Sequence, residues 1–287
     1  MMFKFLSRPP YKVGVALSGG GARGFAHVGA LKALEDMGIK PDIIAGVSAG
    51  SIVAAMYAAG IKADRMLDIF KSAKFTDFAE FRVPRDGFFS LERFKKLLED
   101  IIPYRNIEDL PTPIVIGATD FDNGVKVAFD HGPIAERVLA SASIPIVFTP
   151  VVIDGIRYVD GGVLHNLPAW AIRDKCKYLI GINCSPLVNG RPPSSIIEVA
   201  MRSYHLMLRS NTESDIRLCD TVVQTQAIAR HNVFDLNDID RVYLCGYNDT
   251  MRMLLDNGFK RPDRVAPQAD AEVPADSAGE VRPDNIL

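Results

Sequence analysis

The sequence predicts an α/β fold in which a mostly parallel sheet is covered by helices. Two observations carry this expectation. Short β-branched runs alternate with helical patterns through the first two-thirds of the chain, and a glycine-rich loop stands where the first strand passes into the first helix. With 48% hydrophobic and 24% charged residues in 287, the chain has the composition of a packed globule and the length to bury a core. Lys plus Arg number 33 against 35 Asp plus Glu, a formal charge of -2, so no basic excess exists to drive counterion release. No nucleic-acid partner is therefore expected.

The elements follow in order. Residues 13–17 (VGVAL) read as the first strand, 25–37 as the first helix, 42–47 (DIIAGV) as the second strand and 51–59 as the second helix. Further strands are expected at 113–118 (PIVIGA), 125–129 (VKVAF), 150–153 and 156–160 around the turn Asp154-Gly155, and 178–183 (YLIGIN). Helices are expected at 90–101 with Ser90 as cap, at 133–142 with Pro133 in the first turn, and at 196–219. Residues 219–226 form a candidate last strand, and 238–259 a closing helix with an irregularity near Gly246. Residues 1–11 read as an N-terminal extension and 12–259 as one domain. From 260 to 287 the chain is rich in Pro, Ala and acid without periodicity, the composition of a disordered tail.

Cys176, Cys184, Cys219 and Cys245 form no C-x-x-C pair in a chain large enough to stabilise itself by burial, and read as reduced thiols. The N-terminus lacks the apolar core of a signal peptide, so a cytoplasmic location is expected. The helical part of the most apolar stretch, 49–59, would span about 17 Å against roughly 30 Å of hydrocarbon, too short to cross a bilayer.

Gly19, Gly21 and Gly24 satisfy G-x-G-x-x-G. A dinucleotide site would need an acid at the end of the second strand, but Asp42 stands at its beginning. A phosphate-binding P-loop fails because no Lys-Ser/Thr pair closes the loop. What remains is a run of backbone N–H groups at a helix N-terminus, suited to stabilising a negative oxygen. Arg23 adds a charge nearby; the alternative is a solvated first-turn arginine.

Gly46-Val47-Ser48-Ala49-Gly50 is G-x-S-x-G at a strand-to-helix junction, the setting in which the motif means a nucleophile elbow rather than a helix-capping serine. A serine hydroxyl needs a base. An ordinary α/β-hydrolase places its serine on a middle strand, whereas only one strand precedes Ser48. None of His27, His131, His165, His205 and His231 sits in a punctuated loop suited to a catalytic imidazole, and His165 alone is close in sequence to the remaining acidic candidate. That candidate is Asp160, which ends the strand at 156–160 and is followed by the tight turn Gly161-Gly162. A strand end is where α/β sheets place chemistry, although a plain turn Asp reads the same way.

The three motifs in order, G-G-G-x-R-G at 19–24, G-x-S-x-G at 46–50 and D-G-G at 160–162, resemble the patatin-like phospholipase family, in particular its short bacterial members. The similarity extends to ASASIP at 140–145 and VDGGVLHNLP at 159–168, and so over roughly 12–187. It implies a three-layer α/β/α sandwich with a mostly parallel central sheet, and a serine acyl hydrolase that cleaves lipid acyl esters through a Ser-Asp dyad without histidine, metal or cofactor. By motif position it implies Ser48 as nucleophile, Asp160 as its partner, and the amides of Gly19, Gly20 and Gly21 as oxyanion hole with Arg23 in support; Gly46, Gly50, Gly161 and Gly162 shape the turns. Ile146 departs from the small residue expected after Pro145. An acyltransferase using the same site, or a non-catalytic acyl-lipid-binding regulator, stays open as an alternative.

The expected partner is a lipid or acyl-ester substrate, with peripheral membrane contact. Phe75, Phe78, Phe81, Phe88 and Phe89 crowd one short segment. They read either as an acyl-binding or membrane-touching flap or as rings packed beneath the sheet edge.

Overall fold

The computed structural model describes residues 9–72, 80–81, 87–186, 193–229, 231 and 238–260. The residues expected to form the tail beyond 260, and Phe75 and Phe78 of the phenylalanine segment, lie outside them. Among the described residues, eight strands make one sheet: β1 (Tyr11–Leu17), β2 (Ile43–Val47), β5 (Ile114–Asp120), β6 (Val125–Phe129), β8 (Val151–Ile153), β9 (Ile156–Asp160), β10 (Cys176–Asn183) and β11 (Thr221–Gln224). Its main path runs β11-β10-β1-β2-β5-β9-β8, with β6 also paired to β5. From β11 to β5 every pairing is parallel; β6, β8 and β9 join antiparallel. A small second sheet, β3 (Glu80–Phe81), β4 (Gly87–Ser90) and β7 (Ile146–Phe148), was not expected from the sequence, because its strands are too short to show alternation.

The helices are α1 (Phe25–Asp36), α2 (Ala49–Ala58), α3 (Ala63–Ser72), α4 (Glu92–Ile101), α5 (Ile134–Ala142), α6 (Ile196–Ile216) and α7 (Ile239–Asp256). Inward residues of the sheet alternate between two cores. Val15, Leu17, Ile44, Ile114 and Ile116 face a large core shared with α1, α2, α5 and α7. Ala16, Ile43, Ala45 and Val115 face a thinner one, closed by Leu167, Ala169 and Ile172 and by Ile216 of α6. The architecture is the expected three-layer α/β sandwich, its second layer made largely of short 3₁₀ turns.

Locally the structure departs from expectation in several places. α4 starts one residue after Leu91, with Ser90 Oγ accepting the Glu92 N–H at 3.3 Å, and Pro133 stands just before α5 rather than in its first turn. α3, unannounced by the motifs, buries Ala63, Met66 and Phe70 on one face. The irregularity expected near Gly246 is absent: α7 is continuous, and Gly246 and Gly29 lack side chains because α1 and α7 touch backbone to backbone there. Phe89 is half-buried, its ring edge-on to Phe148, which fits the packing reading for that one ring.

One feature of the register sets the site. Along one edge β5 carries β6; along the other it carries two strands in succession. β2 lies parallel to its first half, with Val47 opposite Gly117, and β9 lies antiparallel to its second half, with Asp160 opposite Ala118. The two strands meet end to end. The residue leaving β2 is Ser48, and the residue ending β9 is Asp160.

Candidate active site

Ser48 joins β2 to α2 at φ 52° and ψ −125°, a backbone conformation that costs a non-glycine residue on the order of 1–3 kcal/mol. Its surroundings hold it there. The Ser48 N–H donates to Ser141 Oγ at 2.8 Å, and Ser141 Oγ donates onward to the Gly117 carbonyl at 2.6 Å. The Ser48 carbonyl accepts the Ser51 hydroxyl at 2.7 Å and the Ser51 N–H at 2.9 Å. A side chain at Gly46 would strike the Gly50 carbonyl, and one at Gly50 would strike the backbone of Leu17 and Ser18, so both glycines of the elbow are required by close approach. The Ser48 residue, 6% exposed, sits at the N-terminus of α2, where the helix dipole favours developing negative charge.

Asp160 is fully buried. Its Oδ1 accepts the Gly162 N–H at 2.7 Å. Its Oδ2 is sealed from solvent without a donor in full hydrogen-bonding geometry, while the Ser48 and Tyr204 hydroxyls lie close enough to favour the ionised form. Burial dominates and pushes the carboxyl up to about 6. A Cβ on Gly161 would stand 2.6 Å from the Gly117 carbonyl, and one on Gly162 2.5 Å from Leu208 and 2.8 Å from the Tyr204 hydroxyl, which explains both glycines after the aspartate.

The glycine loop lies alongside. A Cβ on Gly19 would be 3.2 Å from Ser48 Cβ, so the loop passes directly over the serine. The Gly19 N–H, however, donates to the Asn166 carbonyl at 3.1 Å and its own carbonyl is held by Ser18 and Ser185 hydroxyls. Gly19 thus contributes clearance rather than a donor. Gly20 and Gly21, the latter at φ 55°, have amides with no protein acceptor among the described residues. Arg23 also departs from its expected place: its guanidinium clasps the carbonyls of Ala229 and His231 at 2.8 Å each, and reaches Pro186 at 3.4 Å. It ties the loop to the C-terminal part of the chain.

Among the described residues no histidine hydrogen-bonds Ser48 or Asp160. His27 is buried, with Nε2 on the Ser18 carbonyl at 2.7 Å, and desolvation lowers its pKa to about 4. His165 Nδ1 pairs with Asp215 at 2.7 Å, its ring beside Trp170. His131 is exposed beside Asp130, and burial lowers His205 to about 4. Asp42 accepts the N–H groups of Lys12 and Val13 and serves β1 rather than a ribose. No group of three His, Cys, Asp or Glu side chains is gathered closely enough to ligate a metal, among the described residues.

Sequence reasoning missed Ser141, although it lies in the quoted ASASIP segment, and missed the grip of α6 on the aspartate turn. Asn211 Nδ2 donates to the Gly162 carbonyl at 2.7 Å, and its Oδ1 accepts the Asn166 N–H at 3.0 Å; Asp215 takes His165 and the Trp170 N–H. The spacing of Tyr204, Leu208, Asn211 and Asp215, one helical face, was the available signal.

With the geometry in place, comparison with known proteins decides the family. A family profile described as patatin-like phospholipase matches residues 15–172, more than half of the chain and all three motifs. The chain belongs to the patatin-like phospholipase family. An uncharacterized NTE family protein of Mycobacterium tuberculosis is 37% identical over 160 residues, which cover 55% of this chain and 44% of that protein. Lysophospholipase NTE1 of Scheffersomyces stipitis is 30% identical over 181 residues, 60% of this chain and 12% of that one. The chain therefore spans less than half the length of these relatives. The crystal structure of VipD from Legionella pneumophila shares the patatin-like fold at a TM-score of 0.50 and 15% identity, over 86% of this chain and 67% of that one. No helix among the described residues is long and apolar enough to cross a membrane.

Proposed function

We propose that the chain is a serine acyl hydrolase acting on lipid acyl esters through Ser48 and Asp160. The observation that carries the reading is the end-to-end meeting of β2 and β9, which sets a strained serine beside a desolvated carboxylate; the glycine loop passes over the serine, and its Gly20 and Gly21 amides have no acceptor among the described residues. Ser48 Oγ attacks the ester carbonyl carbon as its proton passes to Asp160 Oδ2. The tetrahedral oxyanion takes hydrogen bonds from the Gly20 and Gly21 amides. Collapse breaks the ester C–O bond, and the leaving alkoxide receives the proton from Asp160. Water, giving a proton to Asp160, then attacks the acyl-serine; collapse breaks the bond between the acyl carbon and Ser48 Oγ, Asp160 returns the proton to Ser48 Oγ, and the fatty acid leaves with the serine and carboxylate restored.

The lysophospholipase name of the yeast relative makes lysophospholipids the first natural substrates to assay, and peripheral contact with a lipid surface accords with that substrate class. The test is fluorophosphonate labelling of the purified protein, with hydrolysis of p-nitrophenyl esters and lipid-class profiling alongside. Labelling lost in both Ser48→Ala and Asp160→Asn, with release of free fatty acid, is the expected result. Acyl transfer to an added alcohol in preference to water would make the chain a transferase; absence of labelling in the wild type would make it a non-catalytic binder.

A further inference from the structure

We propose that Tyr204 is a positioning residue for the Asp160 base, its phenol donating to the carboxylate from α6 and holding it for proton transfer. The assignment rests on the Ser48–Asp160 reading. It starts from geometry: the same point above Gly162, where a Cβ would sit, lies 2.8 Å from the Tyr204 hydroxyl and 3.0 Å from Asp160 Oδ1, so both groups border the space that the missing side chain of Gly162 leaves open. Tyr204 is 8% exposed and cannot be serving solvent. Its position is held along the helix by Leu208 in the core and by Asn211 and Asp215, which bind the same segment that carries Asp160. Tyr204 lies beyond residues 15–172, outside the part of the chain that the family profile matches.

The chemistry requires such a donor. A carboxylate in a dry site is driven towards its neutral form, which is no base. The groups facing the Asp160 side chain are the Ser48 hydroxyl from the turn after β2, the Gly162 amide from its own turn, and the Tyr204 hydroxyl from α6. Thr119 of β5 and Ser143 beyond α5 engage only its backbone, and no cationic side chain among the described residues acts on it. Since the Ser48 hydroxyl gives up its proton during attack, Tyr204 is the one side-chain donor among the described residues that persists through the reaction. Burial and the adjacent carboxylate raise the Tyr204 pKa well above its ordinary value, so the phenol keeps its proton.

The experiment is the pH dependence of fluorophosphonate labelling and of kcat/KM for a p-nitrophenyl ester. Tyr204→Phe is expected to move the acid limb up by about one pH unit, the worth of a hydrogen bond to a charged group. The rates should converge with wild type above about pH 8.5, where Asp160 is ionised in both. 3-Fluorotyrosine incorporated at Tyr204, which keeps the packing and strengthens the donor, should move the limb down. A purely structural role would instead lower the rate equally at every pH. If Asp160→Asn is inactive while both Tyr204 replacements leave the wild-type profile, this inference alone fails. If Asp160→Asn labels like wild type, the base assignment fails first and takes this one with it.

Discussion

Asp160→Asn is expected to destroy activity and stabilise the fold at the same time. The Asn side chain has nearly the shape of the Asp, and its Oδ1 can still accept the Gly162 N–H that Asp160 accepts at 2.7 Å. What it removes is a charge buried completely, whose pKa burial raises from 3.8 to about 6. The folded protein thus binds that proton more tightly than the unfolded chain does. The resulting stability is fully present below the unfolded value and is lost as pH rises through the folded one. A shift of roughly two units corresponds to about 3 kcal/mol withheld from the wild type above pH 7. Asparagine carries no such penalty at any pH. At about 2–4 °C per kcal/mol for a chain of this size, the variant should melt roughly 6–12 °C higher at pH 8. The gain should shrink towards zero near pH 4. Turnover should fall by orders of magnitude, as for Ser48→Ala, because the two side chains act as a unit. Thermal and urea denaturation across this pH range, with ester hydrolysis on the same samples, provide the measurement. A variant no more stable than wild type at pH 8, or a gain that persists unchanged at pH 4, would refute the claim that Asp160 is held at a desolvation cost.

The remaining predictions concern its neighbours. With Asp160 required in its ionised form, kcat/KM should fall about tenfold per unit below pH 6, measured with a substrate that does not itself titrate. Ser141→Ala strands the Ser48 N–H and the Gly117 carbonyl, and should lower unfolding stability by about 2–3 kcal/mol in urea titration while kcat falls more than KM rises. Gly21→Val forbids φ 55° and should reduce turnover about 10²- to 10³-fold with the fold intact by circular dichroism. Arg23→Met releases the carbonyls of Ala229 and His231; it should lower thermal stability and raise protease sensitivity, with a smaller loss of turnover than Gly21→Val.

The features legible from the chain alone are local ones. The alternation that predicts β1, α1, β2 and α2, the elbow at Ser48 and the glycine run before α1 are each written within a few residues, because side-chain period and the missing Cβ of glycine act at short range. Asp160 was legible for the same reason, as a carboxylate at a strand end followed by two glycines. How these parts act together is set by long-range packing. That Ser48 and Asp160 face each other depends on β9 taking up the edge of β5 where β2 leaves it, a register set by packing across distant segments. The commitment of the Gly19 amide to Asn166 depends on where the 161–167 turn docks, while those of Gly20 and Gly21 have no acceptor among the described residues. Arg23 reads as a charge beside the loop until the carbonyls of Ala229 and His231 are brought to it. Tyr204 carries no motif at all: its proximity to Asp160 exists because a helix from the last third of the chain lies across a glycine that makes room for it, and a contact of that kind has no signature in either segment alone.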